Sequence, residues 1–332
     1  MRYGLILSAL AAVPAHADEP LAYLTTAGPA ADPLTHLGWL MGGVSIAVIV
    51  IVALLLVWAL ARRRPGGEAG RTLQRDRGGL SFIYIGVGAT VVVLGVCMGW
   101  NLAAIAKVRR PPRPAAFTVQ VTAHQWWWEV EYPDGADPHR DFLTANEIHI
   151  PAGEPVRLEL RSPDVIHSFW VPKLAGKMDV IPGQINVAWM QADRPGVYRG
   201  ECSVLCGAQH AHMAFQVIAD TPDGFKAWKE SQLADAAPPA GIRLERGERV
   251  FDDKCAGCHT IRGGNAGGVV GPDLTHLMSR RTLAAGTLPN DPEHLKDWVS
   301  APQRFKPGTQ MPTVQLSAGE LSELAAYLQT LH

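Results

Sequence analysis

The chain carries almost no net charge, few cysteines, and no histidine within its longest apolar runs. Its 30 Lys and Arg balance 31 Asp and Glu over 332 residues, so the total charge points to no partner, and nothing in it suggests nucleic acid. Its five cysteines do not have the spacing of a disulfide framework: Cys202 and Cys206 form one close pair, Cys255 and Cys258 another, and Cys97 stands alone in an apolar run. Attachment of a metal or prosthetic group is the better expectation. There is no internal repeat. Residues 37–61 and 80–106 hold no charged side chain and no histidine, which excludes an imidazole-ligated metal site inside a membrane built from this chain alone.

What is present is unevenly distributed. Residues 1–116 hold 11 basic and 5 acidic side chains, 117–240 hold 9 and 16, and 241–332 hold 10 of each. Arg2, a short apolar stretch at 5–13 and the small-x-small pattern Ala15-His16-Ala17 read as a secretory signal peptide over residues 1–17. The runs 37–61 and 80–106 are each long enough to cross the hydrocarbon core as a helix. Arg62, Arg63, Arg64, Arg71, Arg75 and Arg77 lie between them and mark the loop 62–79 as cytoplasmic. Residues 36–106 are therefore expected to form a transmembrane hairpin in a plasma or inner membrane, crossing the lipid bilayer twice, with the rest of the chain on the periplasmic or extracellular side.

Pro111, Pro112 and Pro114 make a stiff exit from the membrane. From residue 117 the texture changes to short β-rich runs, at 117–121, 147–151, 156–160 and 185–190. Turn residues separate them, which predicts an all-β sandwich or barrel over 117–234. Residues 235–241 (DAAPPAG) read as a linker. Residues 242–332 are helical in pattern, around a CxxCH motif and again near the C-terminus.

The β-rich region contains Cys202-Ser-Val-Leu-Cys206-Gly-Ala-Gln-His210-Ala-His-Met213. Thiolate, imidazole and thioether are soft to borderline ligands, a set that suits copper. Two thiolates four residues apart can bridge two copper ions, and each ion then needs one histidine and one weak axial ligand. His210 and Met213 come from the loop, with His212 as a competitor to His210. The second histidine must come from elsewhere, and His167, in Asp164-Val-Ile-His167-Ser-Phe-Trp, is the best placed. The remaining axial ligand can be the backbone carbonyl of Val204. Sharing one electron between two bridged coppers lowers the reorganisation each transfer needs, which suits relay rather than substrate binding. A zinc site or a Cys202–Cys206 disulfide is the alternative.

Cys255-Ala-Gly-Cys258-His259 is the c-type haem attachment pattern: both thiols add to the haem vinyl groups and His259 ligates the iron. Lys306-Pro-Gly-Thr-Gln-Met311-Pro offers Met311 as the sixth ligand, and His/Met ligation raises the potential relative to two histidines. Met278 is the rival, but it lies close to His259 in sequence.

Two resemblances follow from these residues. From the first apolar run to Ala219 the chain resembles subunit II of haem-copper cytochrome c oxidases, on His124-Gln-Trp126-Trp-Trp128, His167-Ser-Phe-Trp-Val-Pro172, Gly176-Lys-Met-Asp179-Val-Ile-Pro-Gly183 and the 202–213 loop. From residue 241 onward it resembles a class I cytochrome c. Together they resemble the fused subunit II of caa3-type oxidases. The resemblance implies a cupredoxin-like domain holding the binuclear copper centre CuA. Cys202 and Cys206 would bridge the pair, His167 and Met213 would complete one ion, and His210 and the Val204 carbonyl the other. It implies Trp126 as a surface electron port. It also implies a chain that takes electrons from soluble cytochrome c or another membrane donor and relays them through haem c and copper. The acceptor would be a catalytic subunit I, accompanied by subunit III, for oxygen reduction coupled to proton translocation. This chain would not reduce oxygen alone. Many relatives have Glu where Val204 stands, as a magnesium ligand; valine offers no side-chain oxygen, which puts that magnesium site in question. Many also have a Glu near the start of the second helix, where this chain has only Asp76. These departures leave a nitric oxide reductase complex as an alternative setting, and a membrane-tethered electron shuttle or copper-binding module is the alternative of another class.

Overall fold

The computed structural model describes residues 21–62 and 77–332. The expected signal peptide at 1–17, Asp76 and most of the arginine-rich loop lie outside the described residues.

Two long helices come first, α1 (Asp32–Ala61) and α2 (Arg77–Val108). Helix α1 begins five residues before the apolar run because Pro33 suits the first turn and Asp32 complements the positive helix N-terminus. Eighteen-residue windows of the two reach mean hydropathy 3.1 and 2.3, with none of either window buried in protein. Ser45 and Thr90 return their hydroxyl protons to the carbonyls of Met41 and Gly86, one turn back, so each finds a partner without water.

The middle of the chain is a two-sheet sandwich. The strands are β1 (Thr118–His124), β2 (Trp127–Tyr132), β3 (Phe142–Ala145), β4 (Glu147–Pro151), β5 (Val156–Arg161), β6 (His167–Trp170), β7 (Met178–Val180), β8 (Asn186–Met190), β9 (Gly196–Cys202) and β10 (Ala214–Asp220). One sheet has the order β3-β2-β1-β5-β8 and the other β4-β10-β9-β6-β7. The pairs β1–β5 and β4–β10 are parallel, and the rest are antiparallel. Strict alternation sends Val119, Val121 and Ala123 of β1 and Trp128, Val130 and Tyr132 of β2 inward. Trp128 packs edge-on against Phe169 and Phe215 of the other sheet. Each large apolar side chain buried this way contributes roughly 1.5–3 kcal/mol.

The last part of the 117–234 region is helical rather than β. Helix α3 (Pro222–Leu233), capped by the Thr221 hydroxyl, stacks Phe225 on Phe117 and Trp228 on His149. The sandwich also grips the N-terminal helical region. Trp189 Nε1 donates to the Val108 carbonyl at the end of α2, at 2.6 Å. Residue 27 hydrogen-bonds Lys173 and Asp193 on either side.

The C-terminal region contains α4 (Ile242–Lys254), a two-strand ribbon β11 (Thr282–Leu283) and β12 (Leu288–Pro289), α5 (Pro292–Ser300), α6 (Pro302–Phe305) and α7 (Ala318–Leu328). Helix α7 starts with a capping box in which Ser317 and Glu320 satisfy each other's backbone N–H. Gly247 lets α4 cross α7 closely: a Cβ there would lie 2.2 Å from the Glu323 carbonyl oxygen. Phe251, Leu295, Leu324, Tyr327 and Leu328 form the core of this region.

Candidate metal centre and adjoining cleft

Cys202 is the last residue of β9, and the loop from it returns into β10 at Ala214. The Cys202 N–H donates to the Met213 carbonyl at 3.1 Å, closing the loop at its base. Strand β6 lies beside β9 with Phe169 opposite Cys202. That register brings His167, the first residue of β6, next to the loop. Asp164 aims its ring: Oδ1 lies 2.8 Å from His167 Nε2, and the carboxylate also accepts from the N–H groups of Gln125 and Val165. The other ring nitrogen is left to face sulfur.

The expected ligand groups converge. The Cys202 and Cys206 sulfurs are 3.7 Å apart, far beyond the ~2.05 Å of a disulfide, and both are free thiols. His167 Nδ1 lies 4.0 Å from Cys202 Sγ, and the Val204 carbonyl oxygen 3.2 Å from it. His210 Nδ1 lies 3.6 Å and Met213 Sδ 3.8 Å from Cys206 Sγ. His167, Cys202, Cys206 and Met213 are all buried. The Cys206 thiol donates to Cys202, as does His167, which holds Cys202 well below the usual thiol range; for the same reason Cys206 is pushed up. A dry pocket of two apposed sulfurs, two imidazoles, a thioether and a carbonyl fits a soft or borderline metal pair. His212 turns away: its Nδ1 donates to Gln209 Oε1 at 2.7 Å, and the residue is exposed.

A cleft of about 1270 Å³, counting its open mouth, divides the C-terminal region from the sandwich. Cys255, Cys258, His259 and Met311 all line it. Met278 does not; it packs against the core. His259 Nδ1 donates to the Pro272 carbonyl at 2.8 Å, leaving Nε2 with the lone pair, and burial lowers its pKa so the ring stays neutral. Gly271 makes room for that ring, since a Cβ would lie 2.6 Å from His259 Cε1. An apolar cleft with two thiols on its rim and an oriented neutral imidazole fits a covalently held haem.

Three neighbours of these sites were not legible as such. Arg280 lines the cleft, is 9% exposed, and has a buried Nε without a partner among the described residues; it suits the carboxylates of a haem. Asp164 orients His167, and an acid three residues before a histidine was the available signal. Lys306 is buried at the boundary between the two regions.

Trp126 is only 8% exposed. Its Nε1 lies 3.2 Å from the Cys206 carbonyl, and its ring lines the cleft. The tryptophan expected on an open surface is instead covered by the C-terminal region.

Residues 138–220 match the family described as cytochrome C oxidase subunit II, periplasmic domain, and residues 244–332 match cytochrome c. A cytochrome c oxidase subunit 2 of Alkalihalophilus pseudofirmus is 35% identical, over 86% of this chain and 83% of its own length. One from Bacillus subtilis is 26% identical over 94% and 92%. The solved periplasmic domain of subunit II from Bradyrhizobium japonicum is 30% identical, covering 36% of this chain and 95% of that one, with a TM-score of 0.34.

Proposed function

Since the chain belongs to the family of cytochrome c oxidase subunit 2, part of a haem-copper oxidoreductase complex, and ends in a cytochrome c domain, we propose that it is the electron-input subunit of a caa3-type oxidase. In this reading an external donor, a soluble cytochrome c or a membrane-bound one, delivers electrons to the cytochrome domain. They leave through the copper domain to catalytic subunit I, which reduces oxygen to water and moves protons, with subunit III alongside. Residues 1–17 would be a signal peptide and 36–106 a two-pass hairpin packed on subunit I. Residues 117–234 would be the copper domain, 235–241 a linker and 242–332 the cytochrome domain, both metal domains lying outside the membrane.

Cys202 and Cys206 would hold the two coppers between them, completed by His167 and Met213 on one side and His210 and the Val204 carbonyl on the other. Cys255 and Cys258 would bind haem covalently, with His259 and Met311 as axial ligands. When bound, the copper pair and the haem each take up and give away one electron. The chain's own contribution is rigidity and dryness. Asp164 fixes the His167 ring, Pro272 fixes the His259 tautomer, and the sandwich core excludes water from both sulfurs. Valine at 204 supplies a carbonyl but no carboxylate, so magnesium has no ligand from this side chain.

The observation that carries the reading is a shared wall. Trp126 faces the cleft lined by Cys255, Cys258, His259 and Met311, and also donates to the carbonyl of Cys206 in the 202–213 loop. The test is rapid mixing of the purified complex with a reduced cytochrome c. Haem reduction followed by copper reduction, two coppers and one covalent haem per chain, and oxygen uptake are expected. Nitric oxide uptake without oxygen uptake would move the chain to a reductase complex.

A further inference from the structure

Lys306 is 3% exposed and has no carboxylate partner among the described residues. Its Nζ donates to two main-chain carbonyls, Trp126 at 2.7 Å across the domain boundary and Ala284 at 3.2 Å within its own domain. The next residue completes a reciprocal link: the Pro307 carbonyl accepts from Gln209 Nε2 at 2.7 Å. Gln209 is 6% exposed and lies between Cys206 and His210 in the copper loop. Its amide is oriented, because Oε1 already accepts from His212. Besides the links from the Ala214 N–H to the Ala285 carbonyl and from the Arg281 N–H to Glu147, each domain thus donates one side-chain hydrogen bond to the other here, through adjacent residues of one stretch of chain.

Both ends of this link are stiff. In the copper domain, Gln125 and Trp126 donate to the Cys206 carbonyl at 2.7 and 3.2 Å. In the cytochrome domain, Gln303 gathers the loop by donating to the Thr309 and Met311 carbonyls and accepting from the Gly308 N–H, all at 2.8 Å. A displacement at Lys306 therefore moves the segment that carries Met311, and a displacement at Gln209 moves the copper loop.

We infer that Lys306 and Gln209 are positioning residues that clasp the Met311 loop onto the copper loop and so set the gap an electron crosses between the two domains. A buried lysine is an expensive way to fill space: burial pushes its pKa down to about 7, and methionine would pack at less cost. What lysine adds is direction. Two carbonyls accept from it in one relative placement of the domains, and sliding the domains leaves a buried donor unpaired. Electron tunnelling falls steeply with separation, so one placement means one rate.

The inference rests on the relay reading above, and the two fail differently. Lys306→Met and Gln209→Leu are made separately in the full chain within its complex, one on each side of the boundary. Absorption spectra report whether the haem and copper ligands are intact. Pulsed EPR gives the distance distribution between oxidised haem and copper, and flash photoreduction gives the rate of transfer between them. With unchanged spectra, each variant broadens the distance distribution. Loss of one buried hydrogen bond lowers the ratio of clasped to unclasped molecules about tenfold, and the transfer slows accordingly. If Lys306→Met fails to take up haem, Gln209→Leu alone decides. Wild-type distance and rate in the folded variants overturn the clasp and leave the relay standing. A wild-type chain whose copper never takes an electron from its haem overturns both.

Discussion

The copper domain and the cytochrome domain solve the same problem, holding a redox group, in opposite ways. In the sandwich the ligand groups already touch: two thiols, two imidazoles and a thioether lie within about 4 Å of one another's sulfurs. Strand register does this, because β6, β9 and β10 are neighbours whose pairing is specified by a filled core. In the cytochrome domain the four expected ligands line the cleft at its boundary with the sandwich. Its helices pack α4 on α7 around one modest cluster. The sandwich brings its candidate ligands together by its own packing, whereas the cytochrome domain spreads its candidates around an apolar cleft.

The strongest way to break this contrast is to deny each domain its group. Cys255→Ser with Cys258→Ser should prevent covalent attachment and leave the cleft unfilled. We expect the cytochrome domain to lose its cooperative melting transition or drop far in temperature, while the copper domain's transition and absorption persist. Chelating the copper should shift the sandwich transition much less than haem loss shifts the other. Equal losses from both would show that the sandwich also depends on its group. Calorimetry with absorption spectra on the same samples reads both outcomes.

A smaller effect sharpens the same contrast from inside the sandwich. Met213 is 1% exposed, and leucine conserves its volume, so Met213→Leu should cost less than about 1.5 kcal/mol of stability. The copper spectrum should nevertheless change and electron passage slow, with haem content unaltered. An unchanged copper spectrum would remove Met213 from the ligand set. Trp126→Leu stands next in size. It removes the bond to the Cys206 carbonyl and one wall of the cleft. Transfer from haem to copper should slow with little change in either spectrum, and a wild-type rate would reduce Trp126 to packing.

The same contrast explains what was legible in the sequence. Ligand types and spacings are local, and Cys202, Cys206, His210 and Met213 on one loop, or Cys255, Cys258 and His259 in one motif, could be read directly. Met311 was distinguishable from Met278 because Met278 lies close to His259 in sequence. The strands were harder. Alternation exposed β1, β4, β5 and β8, but β6 is four residues with its first three buried, and β9 contains two glycines. Strand β6 lacks a period-two pattern, and β9 alternates but with glycine and cysteine among its inward positions. Helix α3 was missed because its only marked signal is a Thr-Pro start after a strand. The contacts between domains were illegible altogether. Lys306, Arg280 and Glu147 look like surface charges in sequence, yet all three are buried, and Lys306 and Glu147 hydrogen-bond across the domain boundary. Trp126 was expected at an open surface for the same reason.

Glu147 gives the smallest predicted effect and tests whether that docking couples the two domains. It lies in β4 at 2% exposure, and its carboxylate accepts from the Arg281 N–H of the cytochrome domain at 2.6 Å. Burial raises its pKa above the ordinary 4.5, against the opposing pull of the Arg281 N–H, His149 and Arg280. A carboxyl with a raised folded pKa binds its proton more tightly in the native chain than in the unfolded one. Its contribution to stability is therefore complete below the unfolded value and is lost as pH rises through the folded value. Glutamine keeps an acceptor for the Arg281 N–H and does not ionise. Glu147→Gln should thus gain stability relative to wild type as pH rises above the ordinary carboxyl value of 4.5. Because the carboxylate belongs to one domain and the N–H it holds to the other, both melting transitions should shift if docking couples them. A shift confined to the sandwich would make the two domains independent folding units joined only by the 235–241 linker, and a pH-independent difference would mean that Glu147 does not titrate across this range.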